Sequence, residues 1–160
     1  MSEQESWIRS SPHALEPAWV DYNGHLNMAY YLVLFDRGID ALLLAAGLEP
    51  AGSGPTVFAA ETQLRYLAEI GPDDRPACET AVLRVDAKRL HSWQRLVHAD
   101  GRVAATCESL HLSVIRENGD PRVAPFDRAV RQRLEGRILE GPWPEGVGRP
   151  IAERGFGLAP

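Results

Sequence analysis

Hydrophobic and polar positions change their rhythm twice along this chain. From Met28 to Ala46 almost every position is apolar, and only Asp36, Arg37 and Asp40 carry charge. A stretch so apolar on all sides predicts a helix that is buried nearly all round. Asn27 is a good cap at its start and Gly47 a good terminator at its end. The three charges exclude a membrane span, which needs about 18 or more uninterrupted apolar residues. From Thr56 the period becomes two, which predicts strands. Phe58, Ala60, Thr62, Leu64 and Tyr66 fall on one face, and Val57, Ala59, Glu61, Gln63 and Arg65 on the other. Gly71-Pro72-Asp73-Asp74 predicts a turn. Ala77 to Arg89 alternates again, with Ala81, Leu83, Val85 and Ala87 expected inward. Leu90 to His98 is a further extended run, and Asp100-Gly101 after it is a hairpin signal. Arg102 to Ile115 is the longest predicted strand, closed by Glu117-Asn118-Gly119-Asp120. Asp127 to Leu139 predicts an amphipathic helix with Val130, Leu134 and Ile138 on its apolar stripe.

Less pattern marks the ends. Residues 1–12 read as a loose lead-in, and 14–20 as a short extended piece with Leu15, Pro17 and Trp19 on one side. Glu49 to Pro55 is a loop by composition. Residues 140–160, with five glycines and four prolines, read as an irregular tail. The domain proper is therefore expected over residues 13–139. One buried helix followed by long antiparallel strands makes an α+β domain in which the sheet wraps the helix. Such a sheet keeps an open edge, and pairing across a two-fold axis covers it, so a homodimer or homotetramer is expected.

Composition narrows the partners. At 160 residues the chain can bury a single good core, and its net charge of −5 argues against nucleic acid or an anionic membrane as the main partner. The two cysteines, Cys78 and Cys107, lie far apart without metal-type spacing and read as small buried residues of a reducing compartment. Met1 to Ser10 carries charges and no apolar core, so it does not read as a secretory leader, and the cytoplasm is the expected location.

Chemistry concentrates in Val20-Asp21-Tyr22-Asn23-Gly24-His25-Leu26-Asn27, at the approach to the buried helix. A helix N-terminus offers backbone N–H groups and a positive dipole end. An acid, an imidazole and oriented N–H donors are what is needed to polarise a carbonyl and deliver water to it. Asp21 and His25 are the expected catalytic pair. Each has a plainer reading: Asp21 as the cap of an Asp-Tyr-Asn-Gly turn, His25 as a histidine packed on the sheet. Gly24 suits a positive φ and close approach of a ligand, and Asn27 is first a helix cap. His91, His98 and His111 complete no metal-ligand set, so no metal site is expected. Gly52-Ser53-Gly54 lacks the pattern of a serine nucleophile turn, and no glycine-rich phosphate loop is present. Asp36 and Arg37 are expected to neutralise each other. Arg122, Arg128, Arg131, Arg133 and Arg137 read as a solvated face.

These residues resemble the hotdog-fold acyl-CoA thioesterases of the 4-hydroxybenzoyl-CoA thioesterase type. The resemblance rests on Asp21-Tyr22-Asn23-Gly24-His25-Leu26-Asn27-Met28 leading into the helix. It is supported by Arg65-Tyr66-Leu67 with Gly71-Pro72-Asp73, and by Asp100-Gly101 followed by Ala105-Thr106. The chain is most similar to the branch associated with bacterial carnitine and betaine breakdown, through Trp19 to His25, Asp40 to Leu43, Lys88 to His91 and Glu61-Thr62. The resemblance implies a hotdog fold and hydrolysis of a small acyl-CoA, with a quaternary-ammonium acyl group such as betainyl. The CoA thioester would be a substrate, with no separate cofactor. It implies Asp21 as general base or nucleophile and His25 beside it. Gly24, Asn27, Tyr31, Glu61 and Thr62 would line the substrate. Other readings on the same fold are an acyl-CoA hydratase or dehydratase and a non-catalytic acyl-CoA-binding module.

Overall fold

A computed structural model describes residues 6–52 and 54–151. The central helix α1 runs Met28–Ala46 as its flanking residues predict. The Asn27 side chain accepts from the Ala29 N–H, and Gly47 terminates the helix at φ 86°. Among the described residues six strands form one antiparallel sheet: β1 Trp7–Arg9, β2 Thr56–Tyr66, β3 Ala77–Val85, β4 Arg89–Val97, β5 Val103–Glu117 and β6 Asp120–Val123. Their order is β1-β3-β4-β5-β2, with β6 paired to β5 beyond the end of β4. A short second helix, α2, spans Arg128–Glu135, capped by the Asp127 carboxylate on the Ala129 N–H. This is the α+β hotdog arrangement, a sheet curled about one long helix. Among the described residues no helix is long and apolar enough to cross a membrane.

Helix and sheet meet through a polar seam. Gln94 on β4 donates to the Phe35 carbonyl at 2.7 Å, and the Thr80 hydroxyl on β3 donates to the Gly38 carbonyl at 3.2 Å. Those contacts require a very close approach, which Gly38 permits. A Cβ there would collide with Cys78 Sγ and lie 2.7 Å from Gln94 Nε2. Around the seam the apolar core falls into two halves. Trp19, Leu34, Phe35, Ile70 and Leu96 pack toward the start of α1. Leu42, Leu43, Val82, Leu90, Val130 and Leu134 pack toward its end, where α2 closes the core.

Several expectations are corrected. Within the described part of the lead-in, Trp7–Arg9 is not loose but pairs with Glu79–Ala81 as an edge strand. Residues 17–19 form a 3-10 turn rather than extended chain, because Pro17 at its first position favours that backbone. β3 stops at Val85, and Asp86 turns the chain by accepting from the Lys88 and Arg89 N–H groups. α2 ends at Glu135, short of Leu139. Ala81 and Leu83 do not face α1; they form an outer cluster with Trp93 and Leu139, against which Trp7 and Val147 pack. A central strand covered on both faces cannot be assigned a side by alternation. Residues 140–151 carry no strand or α-helix, yet they fold back on this outer face. The remainder of the expected tail lies outside the described residues. Arg37 does not pair with Asp36: its guanidinium sits 5.0 Å from the Trp19 ring centroid. Nor is Arg133 merely solvated, since it donates to the Ala46 carbonyl at the end of α1.

The largest correction is in β2. A bulge at Ala60 shifts its register between Ala59 and Glu61. The two predicted faces therefore exchange halfway along the strand. Val57, Ala59, Thr62, Leu64 and Tyr66 share the inner face with Cys107, Ser109 and His111. Phe58, Glu61, Gln63 and Arg65 share the outer one with Leu110 and Glu108.

Candidate active site

The octet before α1 folds as a tight loop pinned at its base. Val20 and Leu26 bridge antiparallel, the Asn27 N–H bonds to the Trp19 carbonyl, and the Leu26 N–H bonds to Ile70. Gly24 sits at φ 82° with nothing within 4 Å of where a Cβ would be, so glycine is required there by conformation and not by crowding. Asp21 does close its own turn: one carboxylate oxygen accepts from the Asn23 N–H at 2.8 Å. That contact orients the carboxylate and leaves its second oxygen without a partner among the described residues. The turn-capping and chemical readings of Asp21 are thus compatible.

His25 reaches out of the same loop. Its Nε2 lies 3.3 Å from a Glu69 oxygen, with the imidazole more than a third exposed. The contact brings Glu69, which sequence reasoning missed, into the candidate site. Glu69 comes from the loop after β2, and nothing but its place in the gap between Arg65-Tyr66-Leu67 and Gly71 could have suggested it. Of the backbone donors, Gly24, Leu26 and Asn27 bond within the protein, and the Ala29 N–H is capped by Asn27. The Tyr22, His25 and Met28 amides have no partner among the described residues, and of these His25 and Met28 lie nearest the start of α1. Asn27 acts as the helix cap expected of it.

Aromatic rings frame this mouth. Tyr22 is almost fully exposed, and Tyr66 is about half exposed with its hydroxyl donating to the Met28 carbonyl at 3.2 Å. Tyr31 lies beneath Tyr66, edge to face at 5.1 Å, and its hydroxyl donates to Ala68. Burial raises the Tyr31 pKa, so it is a neutral phenol here. Trp19 is buried, stacked by Tyr30 at 5.3 Å and covered by Arg37. Gly24, Asn27 and Tyr31 are thus gathered around Asp21 and His25. Glu61 and Thr62 are not gathered there within one chain, and as consecutive strand residues they point to opposite faces of the sheet. Thr62 points inward to the Ser109 hydroxyl at 3.2 Å, whereas Glu61 lines a cavity on the outer face.

Cysteine chemistry is removed by burial. Both cysteines are free, and burial pushes Cys78 up to about 12 and Cys107 up to about 11. Neither supplies a thiolate near neutral pH. Among the described residues no group of three His, Cys, Asp or Glu is arranged to hold a metal ion. What remains is a carboxylate with one open oxygen, an imidazole–carboxylate pair, and two open amides at a helix N-terminus. That set can activate water and stabilise an oxyanion.

Comparison with known proteins gives the same class. The model of the thioesterase-like superfamily matches residues 15–134. A betainyl-CoA thioesterase of Pseudomonas aeruginosa is 40% identical over 144 residues, covering 84% of this chain and 88% of that protein. A crystal structure from Pseudomonas putida, assigned as a thioesterase, superposes with a TM-score of 0.74 at 31% identity, over 89% of this chain and 92% of that one. A Staphylococcus aureus protein solved in complex with CoA shares the fold, with a TM-score of 0.77 at 22% identity over 91% and 94% of the two chains. The chain belongs to the thioesterase-like superfamily, with the hotdog fold of its solved relatives. It is an acyl-CoA thioesterase, a hydrolase of the thioester bond.

Proposed function

We propose that the substrate is a small acyl-CoA whose acyl group carries a quaternary ammonium, with betainyl-CoA as the first compound to test. The 40% identical relative supports this acyl group. So does the mouth itself, which presents the exposed Tyr22 and Tyr66 rings beside Asp21 and Glu69. A cation that cannot donate N–H bonds is held by aromatic faces and nearby carboxylates.

Asp21 carries the reaction. Its open oxygen takes a proton from water as the water oxygen attacks the thioester carbonyl carbon. The carbonyl oxygen gains negative charge against the His25 and Met28 amides and the positive end of α1. Collapse of that intermediate breaks the C–S bond. The proton that Asp21 took passes to the leaving sulfur, so CoA departs as the thiol, the free acid remains and the Asp21 carboxylate is restored. His25, steadied by Glu69, stands beside the leaving group. The observation that supports Asp21 as base is that one of its oxygens is held by its turn and the other is open. Free thiol release from betainyl-CoA tests the reading, and Asp21→Asn is expected to lower kcat about 10²–10⁴-fold with the fold intact. Activity near that of the wild type would remove Asp21 from the mechanism. Label found in Asp21 after a single turnover in oxygen-18 water would overturn general-base attack, since it requires an anhydride that water opens at the aspartyl carbon.

The working unit of this reading is a pair of chains. β2 ends the sheet, and Phe58, Tyr66 and Leu67 on or just after it are exposed together with Met28 and Leu32 of α1. A second copy along that edge would cover these residues and wall the Asp21 mouth.

A further inference from the structure

The outer face of the sheet, turned away from α1, carries a cavity of about 600 Å³. Its floor is a single cross-strand row: Arg84 on β3 pairs with His91 on β4, His91 with Leu110 on β5, and Leu110 with Glu61 on β2. Two irregularities create that row. The register shifts between Val82 and Arg84 on one flank and between Ala59 and Glu61 on the other. Without them, Arg84 and Glu61 would point toward the core. Bulges re-aim side chains in this way and concentrate at functional positions. The roof comes from Gly148, Arg149, Pro150 and Ile151, beyond residue 134 where the superfamily match ends. It is tied down by the Gly148 N–H, which donates to Glu108 at 2.7 Å.

Charge decides what such a cavity can hold. Three arginines line it, Arg84, Arg89 and Arg149, against three carboxylates, Glu61, Asp86 and Glu108. A net charge of zero gives no field for a polyanion such as a nucleotide. Most of these groups are already engaged: Arg89 with Asp86, and Glu108 with His91 and the Gly148 amide. Two ends of the row remain. Arg84 has no carboxylate partner among the described residues, only the Trp143 ring 5.7 Å away. Glu61 has no hydrogen-bond or ionic partner among them. The cation and the carboxylate lie three strand spacings apart, about 14 Å between backbones, and their side chains can lean toward each other over His91 and Leu110.

We propose that this cavity is a second binding site, distinct from the Asp21 mouth, for a small zwitterion whose carboxylate meets Arg84 and whose ammonium meets Glu61. The choice of probe rests on the substrate reading above: the acid released from betainyl-CoA, glycine betaine, is such a zwitterion.

Calorimetric titration of the full chain with glycine betaine tests the site, with acetate and tetramethylammonium as single-charge controls. Saturable binding of betaine at one site per chain is expected, with at most weak binding of either control. Glu61→Gln and Arg84→Gln should each weaken it about tenfold or more, since each leaves a charged end unpaired. Asp21→Asn should bind betaine as the wild type does. No saturable binding, equal binding of the single-charge controls, or retention in both outer-face variants overturns the proposal. So does loss in Asp21→Asn, which would place the ligand in the catalytic mouth. The two readings separate cleanly. Betaine binding without thiol release from betainyl-CoA keeps the outer site and removes the substrate reading. Thiol release without betaine binding removes the outer site alone.

Discussion

His111 shows what a single side chain costs when it is taken out of water. It faces inward from β5, is 6% exposed, and its Nδ1 has no hydrogen-bond partner among the described residues. Burial pushes its pKa from 6.5 down to about 4. The folded state therefore keeps the ring neutral where the unfolded chain would protonate it. Below pH 6.5 the unfolded state binds the extra proton, so stability is lost as pH falls toward about 4 and is fully present above 6.5. The whole effect is of order 3 kcal/mol. Urea unfolding at pH 7 and pH 5 should show the wild type losing about 2 kcal/mol more than His111→Gln over that interval. Equal losses would mean the ring is not held neutral. A smaller effect is expected at Glu69. Its pair with His25 is largely solvated, and such pairs contribute under about 1 kcal/mol, so Glu69→Gln should cost at most about fivefold in kcat/KM. A loss of a hundredfold would instead make Glu69 part of the chemistry.

At the scale of elements, the contact that matters most is α1 against β3 and β4. Its polar seam demands the absence of a side chain at position 38, because Cys78 Sγ occupies the place of a Cβ. Gly38→Ala should overpack that seam and cost about 1–3 kcal/mol despite alanine's better helix propensity. A thermal melt lowered by roughly 3–10 °C would show it, and an unchanged or raised midpoint would mean the helix can move away without loss. This sign runs against the propensity that reads so clearly from the sequence of α1. The helix was legible because its apolar run and both caps are local signals. Nothing local announces that Gly38 faces a cysteine from a strand forty residues later.

For the molecule as a whole, the open β2 edge makes a strong demand. Phe58, Tyr66, Leu67, Met28 and Leu32 are exposed apolar side chains beside a strand whose outer N–H and C=O groups have no neighbour among the described residues. Unpaired edges of this length are normally covered. Light scattering at micromolar concentration should give at least twice the chain mass of 17.6 kDa, and Phe58→Asp should shift that mass downward and reduce turnover with it. A monomer that turns over substrate at full rate would exclude a shared site.

Local signals in the sequence determined the buried helix, its caps, most strand positions and the Asp21–His25 loop, because capping, periodicity and turn chemistry depend on residues only a few positions apart. They also placed Asp21 at a helix N-terminus, where a carboxylate and open amides can act together. Tertiary structure alone decided which face Glu61 occupies, since one extra residue at Ala60 reverses the alternation and no local pattern marks it. It alone brought Glu69 to His25, turned the first strand into an edge partner of β3, and laid residues 140–151 over the outer face. Each of these depends on register or packing between segments distant in the chain, and those are set by what the whole core can bury at once.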